Sequence, residues 1–232
     1  MATKPSISAF FPCYNDAKTI GKLVEKIDGI LKKVASRYEI IVVNDGSRDE
    51  SLEVLKATQQ KIKALKVVDH KKNRGYGGAL ASGFKNAKYD LVFYTDGDAQ
   101  YNVTELPLLI SCLTPDIDIV NGIKMDRQDD TVRIVLGNAY KSLMRNLFDL
   151  PVYDVDCDFR LIRNKFMKKI SLTKKSGAVC VELVTKLRGR GAKFREVSVH
   201  HYPRLYGKSQ FFKIKPLLAT FWELLRLKSF FV

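Results

Sequence analysis

Residues 90–101 read DLVFYTDGDAQY, and the reading of this stretch decides the fold. Leu91-Val92-Phe93-Tyr94 is a continuous apolar run, the pattern of a strand covered on both faces. Asp96 and Asp98 stand where that strand must stop, with Gly97 between them. A surface turn accounts for Asp-Gly equally well, because both residues suit turns. The neighbouring sequence has to choose between a turn and a site.

Upstream, strand-like and helix-like patterns alternate. ISAFF (7–11), YEIIVVND (38–45) and ALKVVDH (64–70) are short β-branched or apolar runs. Between them, AKTIGKLVEKIDGILKKVA (17–35) sets Ile20, Leu23, Val24, Ile27, Ile30, Leu31 and Val34 at helical spacing. SRDESLEVLKATQQKI (47–62) opens with Ser47 as a candidate N-cap and Glu50 in the capping-box position. GGALASGFKNAK (77–88) is a third helix, leading into the strand of the opening stretch. The order βαβαβαβ predicts a parallel sheet with right-handed crossovers and helices on both faces. In such sheets ligands bind beyond the carboxyl ends of the strands. PCYND (12–16), NDGSRD (44–49) and TDGDAQ (95–100) all fall at that edge. Three polar clusters facing one cleft favour a site over a turn at Asp96 and Asp98.

Downstream, DIDIVNG (116–122), CDFRLIRN (157–164) and KFREVSVHHY (193–202) read as strands. TVRIVLGNAYKSLMRNLF (131–148) and VCVELVTKLRGRG (179–191) read as helices, the second ended by Gly191. With no repeat, low-complexity tract or linker, one α/β domain over residues 1–212 is expected, followed by an amphipathic helix over 213–232.

Composition narrows the partners. The 232 residues are 46% hydrophobic and 28% charged, as in an ordinary globular protein. Lys and Arg number 40 against 25 Asp and Glu, for a formal net charge of +15, which favours anionic partners. A nucleic-acid partner is not expected, because no basic recognition helix or interleaved aromatic motif is present and the strongest clusters are acidic. Cys13, Cys112, Cys157 and Cys180 form no Cys-x-x-Cys pair, so buried reduced thiols of a cytosolic protein are expected rather than a zinc site. The apolar part of MATKPSISAFF is too short for a signal peptide, and no run approaches the roughly 20 apolar residues of a membrane span. These features predict a soluble or peripheral protein.

The candidate chemistry starts from the acids. Mg²⁺ and Mn²⁺ take oxygen ligands, commonly one or two carboxylates plus substrate phosphates. Asp96 and Asp98 are spaced to share such an ion on a diphosphate, with Gln100 in reach of the ion or the phosphate. Asp45, after IIVV, serves either an Asx turn or a nucleobase N–H; uracil offers one such donor and guanine a fork of them. Tyr14 either stacks on that base or lies at the core edge. NRGYGGALASG (73–83) fails the dinucleotide fingerprint, because Leu80 stands where its third glycine belongs. Its glycines suit close helix packing or a phosphate-facing backbone.

PCYND, VNDGSRDES, NRGYGGAL, TDGDAQY, DCDFRLIR and PRLYGKSQ, in this order, resemble family 2 glycosyltransferases of the GT-A fold. The resemblance covers nearly the whole chain and is to the dolichol-phosphate mannose synthase-like branch, which includes polyprenyl-phosphate glucosyl- and mannosyltransferases. It implies a GT-A, Rossmann-like sheet and inverting transfer of a hexose from a nucleotide-sugar of GDP-mannose or UDP-glucose type to polyprenyl phosphate. It implies that Pro12, Tyr14 and Asp16 hold the nucleoside, with Asp16 shorter than the Glu usual there, and that Val43 and Asp45 recognise the base. Asp96, Gly97 and Asp98 match the metal motif and Gln100 the Gln that follows it. Asp98 and Arg204 are the residues to which the resemblance gives the catalytic roles. Lys124 stands where relatives often carry a phosphate-binding Arg. Arg133, Arg204 and Lys208 match the acceptor-phosphate side, with Ser209 in the same segment and Gln210 replacing its final Lys. CDFR departs from the common SGFR. A phosphate acceptor has its second pKa near about 6 and is already an anionic nucleophile, so no strong general base is required.

IKPLLATFWELLRLKSFFV (214–232) places Ile214, Leu217, Leu218, Phe221, Trp222 and Leu225 on one stripe. That stripe suits a membrane interface on the cytoplasmic face, a core contact or a membrane-embedded partner subunit. Other readings of the chain are a family 2 transferase with a polysaccharide, protein or small-molecule acceptor, and a non-catalytic nucleotide-sugar sensor.

Overall fold

The computed structural model describes residues 4–125, 141–204, 206 and 214–228. Its first half runs β1 (Ser6–Cys13), α1 (Ile20–Val34), β2 (Arg37–Asn44), α2 (Ser51–Lys61), β3 (Leu65–Asp69), α3 (Tyr76–Asn86) and β4 (Leu91–Thr95), as the alternating pattern predicts. A 3₁₀ turn (Val103–Glu105), α4 (Leu106–Cys112) and β5 (Ile119–Met125) follow. Residues 141–148 are helical and are called α5. The remaining elements are β6 (Phe159–Arg163), α6 (Asn164–Met167), α7 (Ala178–Gly189), β7 (Phe194–His200) and α8 (Ile214–Lys228).

The strands form one seven-stranded sheet in the order β3-β2-β1-β4-β6-β5-β7. β6 is antiparallel to both β4 and β5, and every other pairing is parallel. The period-two geometry of a strand sends alternate side chains to opposite layers. Ile7, Ala9, Phe11, Leu91 and Phe93 pack with α1, α2 and α4. Phe10, Val92 and Tyr94 face α3 and α7 on the other side. A third cluster joins Met144 and Phe148 of α5, Val181 of α7 and Leu224 and Leu227 of α8.

Two expectations about helix ends change. α2 starts at Ser51 rather than at Ser47, and Asp49 Oδ1 accepts the Ser51 N–H at 3.1 Å. Ser47 does not cap a helix, because its hydroxyl accepts the Asn15 N–H at 3.0 Å in the loop after β1. The glycines of residues 73–83 serve packing: a Cβ at Gly77 would collide with Lys174 O, and one at Gly83 with the Phe10 ring. Gly191, at φ 77°, follows the end of α7 as expected.

Phe10 is fully buried, stacked on Tyr94 with centroids 5.3 Å apart and edge-on to Phe84 at 4.8 Å. Phe10→Ala is expected to cost about 3–5 kcal/mol of stability, read as a lowered urea midpoint with an unchanged slope.

Candidate functional site

The ends of β1, β2, β3 and β4 meet at the carboxyl edge of the sheet. Gly97 N–H donates to Pro12 O at 3.1 Å, drawing the loop after β4 onto the end of β1. Asp45 N–H donates to Cys13 O at 2.9 Å and does the same for the end of β2. Polar side chains then lock the loops together. Asp16 N–H donates to Ser51 Oγ at 3.0 Å, Ala17 N–H to Asp49 Oδ2 at 3.1 Å and Arg48 N–H to Asn15 Oδ1 at 2.7 Å. Asn15 and Ala99 adopt left-handed backbone at φ 59° and 60°, in the loops after β1 and β4. Such angles are costly for non-glycine residues and gather where surrounding contacts hold them.

The acids sit inside this frame. Asp98 is buried, accepts the Gln100 N–H on Oδ1 at 3.1 Å and pairs with Arg204 through Oδ2. Arg204 also donates from Nε to Gln100 Oε1 at 3.4 Å and stands 3.9 Å from Asp16 Oδ1. Gln100 Nε2 donates to Tyr202 O at 3.0 Å, so its carboxamide is turned toward the segment that carries Arg204. Asp96 Oδ1 accepts the Tyr76 hydroxyl at 2.8 Å. Asp16 Oδ2 accepts the Tyr14 N–H at 3.1 Å, and a cleft of about 190 Å³ opens beside Asp16 and Tyr206.

Below this layer lies an ionic floor. Arg160, almost wholly buried, donates to Asn121 Oδ1, Tyr94 OH and Val155 O, and lies 3.4 Å from Asp158 Oδ1. Lys141 Nζ is 2.9 Å from Asp154 Oδ2. Lys124 Nζ donates to Asp156 O at 2.7 Å and stands 3.7 Å from Asp154 Oδ1. Burial opposes charge on Asp154, but Lys124 and Lys141 outweigh it and hold that carboxyl below its usual range. Burial, followed by Asp158 and Asp98, pushes Asp96 well above the carboxylate range. Burial also raises Asp98, against the opposing pull of Arg204.

Asp16, Asp45, Asp96, Asp98, Gln100 and Arg204 therefore gather at one edge. Pro12 and Gly97 form the contact between two of its loops, and Tyr14 is half-buried beside them. Val43 packs its side chain in the core on the α3 side. Lys124 is tied into the ionic floor. Arg133, Lys208, Ser209 and Gln210 lie outside the described residues. Two residues to which the sequence pattern gives no role join the edge: His70, whose Nδ1 lies 2.7 Å from Asp45 Oδ1, and Tyr76. The floor formed by Tyr94, Asp154, Asp158 and Arg160 likewise has no signature in the sequence. The signal for His70 was its place just past the carboxyl end of β3, at the same edge as the three polar clusters. Cys13, Cys157 and Cys180 are buried, as expected, whereas Cys112 is half-buried.

The donor set of Asp96, Asp98 and Gln100 is all oxygen, which suits Mg²⁺ or Mn²⁺. Asp98 is buried and adds to the raised proton affinity of the half-buried Asp96, a crowding that a cation relieves, so the residues fit such an ion. Among the described residues no group of three or more His, Cys, Asp or Glu side chains is arranged to hold a metal unaided.

The sequence model of the family described as Glycosyl transferase family 2 matches residues 8–171. An undecaprenyl-phosphate 4-deoxy-4-formamido-L-arabinose transferase of Edwardsiella ictaluri is 28% identical over 207 residues, covering 88% of this chain and 62% of that protein. The same-named transferase of Yersinia enterocolitica is 26% identical over 221 residues, covering 94% of this chain and 66% of its own length. The chain thus spans about two thirds of these curated relatives. The fold is similar to glucosyl-3-phosphoglycerate synthase of Mycobacterium tuberculosis, solved with Mn²⁺, UDP and phosphoglyceric acid. The TM-score is 0.74 at 17% identity, covering 95% of this chain and 76% of that one. It is also similar to a mannosyltransferase of Pyrobaculum calidifontis solved with GDP-mannose and Mn²⁺. There the TM-score is 0.68 at 19% identity, with 97% and 65% covered.

Asp16 provides a test of the site's electrostatics. Burial raises its carboxyl to about 6; the Tyr14 N–H opposes this and Asp98 adds to it. Between about pH 4 and pH 6 the folded state keeps a proton that the unfolded chain has released, so stability falls as pH rises through that window. In metal-free buffer near pH 7.5, Asp16→Asn is expected to raise stability by roughly 1–3 kcal/mol. The gain should vanish below about pH 4, as read from urea midpoints across the range. A gain that does not change with pH would place its cause outside the ionisation of Asp16.

Proposed function

Because the chain belongs to glycosyl transferase family 2, we propose that it transfers a hexose, with inversion, from a nucleotide diphosphate sugar to polyprenyl phosphate. The observation that carries this reading is the meeting of Asp16, Asp45, Asp96, Asp98 and Arg204 at the carboxyl edge of the sheet. In it, Asp45 receives the base and Tyr14 stacks on it, with Pro12 and Asp16 shaping the nucleoside pocket. Asp96 and Asp98, with Gln100 beside them, hold Mg²⁺ or Mn²⁺, which when bound offsets charge on the diphosphate. Arg204 is placed to exchange its carboxylate partner for an anionic phosphate, with the planar fork suited to that contact. Arg133 and Lys208 add charge on the acceptor side. Lys124 supports the site through the ionic floor and the donor phosphates through its charge.

The reaction asks little of the protein's acids and bases. An acceptor phosphate oxygen attacks the anomeric carbon from the face opposite the leaving group. The bond from that carbon to the diphosphate oxygen breaks, and the nucleoside diphosphate departs with the electron pair. A phosphate with its second pKa near about 6 already carries the nucleophilic charge at neutral pH. The rate gain then comes from positioning and from fixed positive charge. The relatives' names include an undecaprenyl-phosphate transferase, which supports a polyprenyl phosphate acceptor for this chain. The deciding assay incubates nucleotide sugars and Mn²⁺ with polyprenyl phosphate or with small phosphorylated acids, and follows the labelled sugar. Label in the lipid is expected. Label only in the small acid would move the reading to a soluble acceptor, and label in neither would remove it. Asp98→Asn is expected to lower turnover about 100-fold while leaving the fold intact; full activity at limiting metal would take Asp98 out of the site.

The same reading places the chain on the cytoplasmic face of a membrane. Among the described residues no helix is long and apolar enough to cross one. α8 serves two purposes. Leu224 and Leu227 are buried in the third core cluster, and Glu223 accepts from the backbone of Lys175 and Ser176. Phe221, Trp222 and Leu225 are 56%, 61% and 44% exposed. Exposed aromatics on a chain of net charge +15 suit an anionic lipid interface, although a membrane-embedded subunit would also cover them. Phe221→Glu/Trp222→Glu is expected to stay folded and to lose flotation with anionic liposomes. Wild-type protein that floats with no liposome at any salt concentration, yet is active on dispersed lipid, would favour the subunit.

A further inference from the structure

Asp45 is 3% exposed, and its carboxylate already has partners. Oδ1 lies 2.7 Å from His70 Nδ1 and accepts the Arg74 N–H at 2.9 Å. An ionised carboxylate only accepts, so the hydrogen of that first contact belongs to Nδ1. His70 Nε2 lies 2.9 Å from Ser82 Oγ on α3, a hydroxyl able to donate or accept. The ring, itself 3% exposed, is thereby pinned between the end of β3 and α3. The backbone of Asp45 is pinned as well. Asn73 Nδ2 donates to Asp45 O at 3.1 Å, and Gly46 follows in a left-handed turn at φ 68°.

Each oxygen of a carboxylate offers about two acceptor positions. His70 and Arg74 fill those of Oδ1, so Asp45 has Oδ2 for a further ligand. We propose that His70 is a specificity-determining positioning residue: by holding Oδ1, it leaves an acceptor that matches a base with one imide N–H. The chain then takes a uridine diphosphate sugar in preference to a guanosine one. This rests on the donor-site reading above. Uracil presents a single N–H between two carbonyls, which one oxygen satisfies. Guanine presents two parallel N–H groups, a fork best received by both oxygens of a carboxylate. With Oδ1 filled, one donor of that fork is left buried and unpaired, a loss worth about tenfold or more in affinity.

Calorimetric titration of the full chain with UDP and with GDP, each with Mn²⁺, tests this. Wild type is expected to bind UDP at least about tenfold tighter than GDP. His70→Asn, which keeps a side-chain N–H near the position of Nδ1, should retain that ratio. His70→Leu should narrow it to within about threefold by gaining GDP affinity, because an acceptor position on Oδ1 is released. Equal binding of the two nucleotides by wild type overturns the proposal. So does a folded His70→Leu protein with the wild-type ratio. If His70→Leu fails to fold, equal binding by wild type, or a preference lost in His70→Asn, still overturns the proposal. Binding of neither nucleotide by wild type overturns the donor-site reading itself, a result distinct from a failed base preference.

Discussion

Gly97 packs against Pro12 so closely that a Cβ on it would fall 2.5 Å from Pro12 O, the same carbonyl its N–H bonds. No side chain fits in that gap. The contact presses the end of β4 onto the end of β1, and the Thr19 hydroxyl closes it from the other side by donating to Gly97 O at 3.1 Å. Asp96 and Asp98, on either side of the glycine, take their positions from it. The loop after β2 joins through Asp45 N–H to Cys13 O, and Ser47, Asp49 and Ser51 then fasten the loop after β1. The site edge is a set of loops that hold one another.

Crowding carboxylates at such an edge has an electrostatic cost, and the chain meets it with buried cations. Arg160 under Tyr94, and Lys124 and Lys141 around Asp154, lie within the fold. These three cations are balanced by the acids of the same floor, so the net charge of +15 lies elsewhere on the chain. Asp16, Asp96 and Asp98 keep raised proton affinities despite Arg204, so this corner still favours a further cation. A buried ion group of this kind adds little to stability compared with apolar packing. It positions the strand end that carries Asp96.

The βαβαβαβ order of the first half, its covered strands and the placing of three polar clusters at the carboxyl edge were determined by the sequence alone, whereas α4 and α6 were not legible in it. Periodicity and turn chemistry are properties of neighbouring residues, and no distant contact is needed to read them. Only the tertiary structure decided the partners. Ser47 has the local signature of a helix cap, yet its hydroxyl is taken by Asn15, 32 positions away. Lys124 reads as a phosphate ligand and is bound into a floor whose acids come from a later segment. His70 carries no motif, and it gained a role when the end of β3 came to lie beside Asp45. The terminal helix shows one apolar stripe in the sequence, and packing against α5 and α7 buries Leu224 and Leu227 and leaves Phe221 and Trp222 outside. β6 runs against its neighbours for a reason no local pattern states. Hydrogen-bond partners, charge pairs and the choice of buried face depend on which segments meet, and that is set by the packing of the whole chain.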